Sequence, residues 1–195
     1  IRGDAAETIA YFLDQGLWLK VISGDNPATV AAVAQKAGIP QSEQVVDART
    51  LPEDIDELAA VLESHSVFGR VTPEQKKSMV LALRSRGHVV AMTGDGVNDA
   101  LALKSADLGI AMGNGSAVTK AVSRLVLLDS AFGSLPGVVA EGRRVIANVE
   151  RVSRLFLTKT VWAMLLAAVF GLTLVSFPFE PRQLSAIDSF DTDAE

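Results

Sequence analysis

The sequence contains no cysteine among its 195 residues, and only 6% of its residues are aromatic. The lack of cysteine excludes disulfide bonds, thiolate metal sites and cysteine nucleophiles, and it agrees with a cytosolic domain. The net charge is −5, and no basic patch carries interleaved aromatic residues, so the sequence gives no sign of a nucleic-acid partner. A secretory signal peptide is also lacking, because charges at Arg2, Asp4 and Glu7 interrupt the N-terminal apolar residues. Since no initiator methionine is present, we expect the chain to be a piece of a longer protein.

An uncharged apolar run at residues 160–177 accounts for the positive mean hydropathy of +0.29. As a helix, about 18 residues would span roughly 27 Å, which just reaches across the hydrocarbon core of a bilayer. A buried helix of a soluble protein is the alternative. Basic residues precede the run and acidic residues follow it: Arg143, Arg144, Arg151, Arg154 and Lys159 on one side, Glu180 and Asp188 on the other. The positive-inside rule therefore predicts a protein of the cell membrane in which residues 1 to about 158 are cytoplasmic.

Short apolar segments of strand length alternate with helical patterns along the first two thirds of the chain. Strands are predicted at residues 17–22, 44–48, 67–71, 87–92, 108–112 and 124–128, with helices at 5–15, 28–36, 52–63 and 74–85 between them. A single helical pattern then runs from residue 135 to residue 177. This alternation predicts an α/β fold in which right-handed βαβ units form a doubly wound, Rossmann-like parallel sheet.

The most informative segment is the turn at residues 93–96, between a predicted strand and a predicted helix. Glycines there allow close approach of the backbone to a ligand, and ligands of open parallel sheets bind at the carboxyl ends of strands. Asp95 and Asp99 place two carboxylates, and Asn98 an amide, within one turn. Such hard oxygen ligands suit Mg²⁺ held together with water and a phosphate oxygen. The alternative is an ordinary G-D-G turn followed by an Asp or Asn helix cap.

The same segment resembles the hinge motif of P-type ATPases, which are ion pumps with a haloacid dehalogenase-like phosphorylation domain. The matching strings are T-G-D-G-V-N-D-A at residues 93–100, L-K at 103–104 and A-D-L-G-I-A-M-G at 106–113. Leu101 departs from the pattern, since most family members carry proline there, and we interpret it as a change in how the helix begins. The resemblance implies a partial haloacid dehalogenase-like sheet, followed by a long helix that enters the membrane.

Two further segments resemble the phosphate-contacting parts of these pumps. Ser23, Gly24 and Asp25 look like the family's T-G-D turn, which cradles the phosphoryl group with a hydroxyl and backbone amides at a helix N-terminus. Lys76 ends the string G-R-V-T-P-E-Q-K at residues 69–76, which is similar to the family string that brings a lysine to the phosphate. Taken alone, the first segment would be a capped turn and the lysine a solvent-exposed helix residue.

The resemblance also implies the roles of single residues and the cofactor. ATP would be the substrate of the full protein, and Mg²⁺ would be held by Asp95 and Asp99. Asn98 would fix the geometry with them, and Lys76 would neutralise phosphate charge. Arg2 looks like the end of the family's Asp-Pro-x-Arg turn, which is the hinge to the nucleotide-binding domain. Alone, it would be a terminal surface charge.

The family nucleophile, the aspartate of Asp-Lys-Thr-Gly-Thr, does not occur in this sequence. In the family it lies upstream on the central strand, so this chain alone is predicted to be inactive. Its implied partner is the upstream half of the same ATPase, which carries the nucleophile and the nucleotide-binding domain. The implied domains are the C-terminal part of the phosphorylation domain (1–136), a stalk and transmembrane helix (137–179), and a loop toward the next membrane helix with an acidic tail (180–195).

The apolar helix resembles the fifth transmembrane helix of these pumps, aligned by E-G-R at residues 141–143 and by Asn148. The implied further partners are the lipid bilayer and a transported cation. Calcium pumps of the family use an Asn and a Glu on this helix to hold the ion. Those places fall at about Thr160 and Ala163, so that carboxylate is missing and the identity of the ion is in doubt.

These motifs are compatible with three functions. The leading one is a fragment of an ATP-driven cation pump that supplies the Mg²⁺-binding and phosphate-contacting loops. The alternatives are a soluble haloacid dehalogenase-like phosphatase and a non-catalytic module that binds Mg²⁺ and phosphate. The phosphatase would also need an N-terminal Asp-x-Asp, which is absent, and it would leave residues 160–177 unexplained.

Overall fold

The computed structural model describes residues 5–173 of the chain. In chain order its elements are α1 (Ala5–Asp14), β1 (Val21–Ile22), α2 (Pro27–Ala37), β2 (Val45–Asp47), α3 (Ile55–Ser64), β3 (Val67–Gly69), α4 (Pro73–Ser85), β4 (Ala91–Gly94), α5 (Ala100–Ser105), β5 (Leu108–Met112), α6 (Ala117–Val122), β6 (Leu125–Leu127) and α7 (Leu135–Thr173). Three short 3₁₀ turns, at Ala48–Thr50, Val97–Asp99 and Phe132–Ser134, lie between them. The alternation of strands and helices confirms the predicted α/β class.

All strand pairs in the described residues are parallel, but they form two three-stranded sheets. The first sheet has the order β1-β3-β2 and the second the order β4-β5-β6. Residue Val67 of β3 lies between Val21 and Val45, and Ile110 of β5 lies between Thr93 and Leu125. In this part of the chain, β1 and β4 therefore each have a neighbour on one side only.

The two open edges, of β1 and β4, begin close to each other. Trp18 lies three residues before β1 and His88 three residues before β4, and their ring centroids are 5.4 Å apart. Val89 is 88% exposed, and Ala91 of β4 is exposed as well. Parallel sheets are normally covered on both faces, whereas the outermost strands of an open sheet have a free edge. β4 is therefore an exposed edge strand of the second sheet.

Apolar side chains from helices and strands bury the two sheets in separate clusters. Phe68, Leu62 and Met79 are fully buried in the largest cluster, which packs α3 and α4 against the first sheet. Phe12 and Ile110 belong to a second cluster that packs α1 against the second sheet. Helix α1 also contributes Ile9 to the first sheet's other cluster, so that it contacts both halves of the fold.

Local capping explains where the two helices next to the predicted phosphate loops begin. Asn26 caps α2 by accepting a hydrogen bond from the Ala28 amide, and Pro27 occupies the first helical position. Thr72 caps α4 through a capping box with Gln75, and Pro73 follows it. These caps fix the positions at which the chain leaves β1 and β3.

The chain divides into two units, Ile1–Val139 and Ala140–Glu195. The second unit contains the greater part of α7, which ends at Thr173 in the described residues. Within residues 5–173, one helical segment, Phe132–Leu172, is long and apolar enough to cross a membrane, and none of its apolar window is buried. The domain boundaries at 136 and 179 stay predictions. Arg2 and the acidic tail lie outside the described residues.

Candidate functional site

The motif at residues 93–100 folds as a strand, a turn and a helix, as the sequence predicts. β4 ends at Gly94, the 3₁₀ turn Val97–Asp99 follows, and α5 begins at Ala100. Gly94 is required here because a Cβ at this position would lie 2.6 Å from the Cβ of Asp99. The side chain of Asp99 therefore packs directly over the end of the strand.

Asp99 joins the central motif to α4. Its Oδ1 accepts a hydrogen bond of 2.6 Å from the Lys76 ammonium, and its Oδ2 accepts one of 3.3 Å from the Gly96 amide. The side chains of Lys76 and Asp99 are only 14% and 12% exposed. An ammonium and a carboxylate at this separation and burial form a charge-assisted pair that orients both groups.

The start of α4 determines where Lys76 lies. The Lys76 amide donates to the Thr72 carbonyl, one turn back, so the lysine lies in the helix immediately after the capping box. The neighbouring Lys77 is exposed. Gln75 also donates from Nε2 to the carbonyl of buried Ala48, which ties α4 to the end of β2.

Asp95 presents its carboxylate to solvent while its backbone is fixed. The Asp95 carbonyl accepts hydrogen bonds from the Ser116 amide at 2.9 Å and from the hydroxyl of fully buried Thr119 at 3.4 Å. A Cβ at Gly115 would lie 3.0 Å from that carbonyl, so the glycine allows the two loops to meet. The side chains of Asp95 and Asn98 are exposed. An open cavity of about 220 Å³ borders Asp95, lined also by Met112, Asn114, Ser130 and Phe132.

The Ser23–Gly24–Asp25 turn lies at the carboxyl end of β1 and is tied to the turn after β3. The Val71 amide donates to the Ser23 carbonyl at 3.0 Å, and the Arg70 amide donates to the Asp25 carbonyl at 2.8 Å. The Ser23 hydroxyl donates to the Asp25 carboxylate and accepts from the Asp25 amide. The turn therefore places a hydroxyl next to the start of α2.

Sequence reasoning missed a charged cluster at the carboxyl ends of β2 and β3. The Asp47 carboxylate accepts hydrogen bonds from the side chain of Arg49, at 2.7 Å from Nη2, and from Nη1 of Arg70 at 2.8 Å. The Arg49 side chain and backbone amide, followed by Arg70, hold the pKa of Asp47 well below its usual range. Arg70 also has a left-handed backbone with φ of 56°. The sequence shows that Asp47 and Arg49 are two residues apart, but it gives no sign that Arg70 joins them.

The structure brings the predicted site residues together in part. Lys76 contacts Asp99, and the Ser23 turn is bonded to the loop that leads to α4. Within residues 5–173, no group of three or more histidine or carboxylate side chains is placed to hold a metal ion. The carboxylate of Asp95 is exposed, whereas both oxygens of Asp99 already have donors. The roles assigned to these residues stay predictions.

Comparison with known proteins defines the class. A model of the haloacid dehalogenase-like hydrolase family matches residues 1–107, which is more than half of the chain. The chain therefore belongs to the haloacid dehalogenase-like hydrolase family.

Relatives with higher sequence similarity belong to a narrower class, the cation-transporting ATPases. The chain is 55% identical over 191 residues to the calcium-transporting ATPase CtpE of Mycolicibacterium smegmatis, covering 93% of this chain and 24% of that protein. It is 37% identical over 186 residues to a calcium-transporting ATPase of Bacillus subtilis, covering 94% and 21%. A zinc-transporting PIB-type ATPase in its E2.Pi state superposes with a TM-score of 0.62 at 27% identity, covering 84% of this chain and 24% of that one. The chain thus spans about a quarter of the length of the curated relatives it matches.

Proposed function

We propose that this chain is part of an ATP-driven cation pump of the P-type, in which it supplies the Mg²⁺-binding and phosphate-contacting loops. The single observation that carries the proposal is the Lys76–Asp99 pair, which joins Lys76 to the motif that also contains the exposed Asp95 carboxylate. Phosphoryl transfer needs positioned charges and oxygens more than it needs proton chemistry. Lys76, Asp99 and Asp95 supply such positioned charges and oxygens. The relatives of the chain are named as ATPases.

Each residue has a distinct part in this proposal. An aspartate carboxylate from the upstream half of the pump attacks the γ-phosphorus of ATP, and ADP leaves. Lys76 neutralises charge on the transferred phosphoryl group, and the Ser23 hydroxyl with the amides of its turn cradles the same group. Asp99 positions Lys76 and the Gly96 amide, while the exposed Asn98 completes the geometry around Asp95.

Of the two carboxylates in the central motif, one is free to bind magnesium. Asp95 offers an exposed carboxylate, a hard oxygen group that Mg²⁺ prefers, whereas the two oxygens of Asp99 are engaged by Lys76 and Gly96. When bound, Mg²⁺ would neutralise phosphate charge together with Lys76. We therefore assign Asp95 as the ligand and Asp99 as a residue that acts through Lys76. Water, phosphate oxygens and the upstream half would complete the coordination.

The proposed partner is the upstream half of the same pump. The open edges of β1 and β4 support it, because one further parallel strand between them would join the two sheets into a continuous one. Such a strand would end between the Ser23 turn and Asp95, where a nucleophile is needed. Since this chain lacks the nucleophile, we expect no ATP turnover from the chain alone. Arg2, the implied hinge to the nucleotide-binding domain, belongs to the same proposal.

The helix α7 is the proposed membrane anchor. None of its apolar window is buried, and basic residues precede the apolar run along the helix. We propose that residues up to about 158 are cytoplasmic and that α7 then crosses the cell membrane. The transported ion is a cation, and the relatives named for calcium support calcium as the first ion to assay.

The test is formation of a phosphoenzyme from labelled ATP by this chain joined to its upstream half. We expect an acid-stable, hydroxylamine-sensitive, Mg²⁺-dependent product that falls strongly in Asp95→Asn, because a ligand of the metal is lost. Asp56→Asn is the matched control, since it removes the same charge from an exposed position on α3. Hydrolysis of small phosphate esters without a phosphoenzyme would instead favour the soluble phosphatase, and unchanged Mg²⁺ binding in Asp95→Asn would favour the non-catalytic module.

A further inference from the structure

The cluster of Asp47, Arg49 and Arg70 is not used by the proposed mechanism, yet it lies at the ligand-binding edge of the first sheet. Asp47 is the last residue of β2 and is in register with Gly69, the last residue of β3. Arg70 follows directly and shares a backbone hydrogen bond with the Ser23–Asp25 turn. Ligands of open parallel sheets bind outside the carboxyl ends of the strands. The cluster is therefore adjacent to the proposed phosphate loop.

Arg70 has a backbone conformation that a residue with a side chain rarely adopts. Its φ of 56° is left-handed, and its amide is fixed to the Asp25 carbonyl at 2.8 Å. Such a conformation persists only where the surroundings hold it, and these positions concentrate at functional sites. The residue before it is also constrained, because a Cβ at Gly69 would lie 2.7 Å from the Cα of Pro27.

The Asp47 carboxylate is the group that holds the Arg70 side chain. Nη1 of Arg70 donates to Oδ2 of Asp47 at 2.8 Å, and the Asp47 side chain is only 23% exposed. Arg49 contacts the same carboxylate from the solvent side and is itself 69% exposed. Asp47 thus anchors Arg70, whereas Arg49 covers the pair from outside.

The same turn delivers Lys76. After Arg70 the chain passes through Val71, whose amide is bonded to Ser23, to Thr72, which caps α4. Gln75 then returns to the carbonyl of Ala48, the residue after Asp47. One short segment at the end of β2 therefore holds both ends of the turn that places Lys76 in α4.

We propose that Asp47 is a positioning residue for phosphoryl transfer: it holds Arg70 and the β3–α4 turn in the left-handed conformation that brings Lys76 to the phosphate. The proposal rests on the proposed function. It predicts that the requirement for Asp47 disappears when residue 70 is glycine, since glycine adopts positive φ without strain.

The experiment measures phosphoenzyme formed from labelled inorganic phosphate, the reverse of aspartyl-phosphate hydrolysis, in which the carboxylate gains the phosphoryl group and water leaves. Inorganic phosphate is chosen because it requires no nucleotide contact. In the chain joined to its upstream half, Asp47→Ala should raise the half-saturating phosphate concentration by about 10-fold to 100-fold, the range expected when a charge-neutralising group moves by about 1 Å. Arg49→Ala, the matched control, should change it by less than about twofold, since Arg49 only covers the pair from solvent.

Rescue distinguishes positioning from a general structural role. The double variant Asp47→Ala, Arg70→Gly should return the half-saturating concentration to within about threefold of the unmodified protein, because glycine needs no anchor at this φ. Asp47→Asn replaces Asp47→Ala in the comparison if the alanine variant does not fold. Unchanged phosphate dependence in both Asp47 variants, or a double variant no better than the single one, would overturn the proposal. An unmodified protein that takes up no phosphate, from ATP or as free phosphate, would overturn the proposed function and the role of Asp47 with it.

Discussion

The Lys76–Asp99 pair can be tested by removing each charge with little change of shape. Lys76→Met keeps most of the length of the side chain, and Asp99→Asn keeps both the outline that packs on Gly94 and an acceptor for the Gly96 amide. At 2.6 Å and an effective dielectric constant of about 20, the attraction between the two charges is about 6 kcal/mol. Most of it is offset by the desolvation of two side chains that are 14% and 12% exposed.

Removing one partner leaves the other charge buried without compensation. We therefore expect each single substitution to lower the free energy of unfolding by about 3 kcal/mol, the lower end of the range for buried pairs, because some solvent reaches both groups. The double substitution leaves neither charge of the pair and should cost about 2 kcal/mol or less. The difference between the double variant and the two single variants isolates the interaction between the charges.

The assay is urea unfolding of the chain in detergent micelles, followed by tryptophan fluorescence. The chain has two tryptophans, so a Trp162→Phe background leaves Trp18, in the first unit, as the reporter. Lys77→Met is the control, since this exposed neighbour should change stability by less than about 0.5 kcal/mol. A double variant that loses about 6 kcal/mol, the sum of the two single losses, would refute the coupling, because the charges would then act independently.

Other features of the chain lead to three more predictions. Gly94→Ala should lower the free energy of unfolding by about 1–3 kcal/mol, because the added Cβ would lie 2.6 Å from Asp99. The control, Gly137→Ala, should cost nothing, because no atom lies within 4 Å of the added Cβ. Urea titrations of the two variants measure both effects. Because hydrogen bonds from Arg49 lower the pKa of Asp47, folding stability gained from this carboxylate is present above its unfolded pKa of about 4 and lost at lower pH. In Asp47→Asn, the free energy of unfolding should therefore fall less steeply between about pH 5 and pH 3 than in the unmodified chain. An equal dependence on pH in the two proteins would contradict this. The chain should sediment with membranes until detergent is added, and its recovery in a detergent-free soluble fraction would count against a membrane-spanning α7.

Local features of the fold were predictable from the sequence. The caps at Asn26 and Thr72 depend on residues within three positions of each other, so their signals lie in short stretches of sequence. The strand before the Ser23 turn was predicted over residues 17–22, but only Val21–Ile22 pair with a neighbour. The physical reason is that β1 pairs only with β3, which begins opposite Val21, so the residues before Val21 have no partner strand.

Contacts between distant segments were not predictable without the fold. Lys76 and Asp99 are 23 residues apart, and so are Asp47 and Arg70. The motifs identified Lys76 and Asp99 separately, with Asp99 as a metal ligand, and offered no reason to pair them. The left-handed conformation of Arg70 was equally hidden, because arginine is not a residue that marks positive φ. Both features arise from how β3 and α4 meet their neighbours.

Helix α4 explains how the proposed phosphate site can be built from two sheets. Its consecutive residues Met79 and Val80 are buried in different clusters: Met79 packs with Phe68 of the first sheet, and Val80 packs with Ala102 of α5, beside the second. Lys76 lies one turn earlier on the same helix and contacts Asp99, in the turn that follows β4 of the second sheet. Because packed interiors resist deformation, a shift of either sheet must move α4 and, with it, the Lys76 ammonium. The strand that we propose between β1 and β4 would therefore act on Lys76 through the two clusters that hold α4, as well as by bringing the nucleophile.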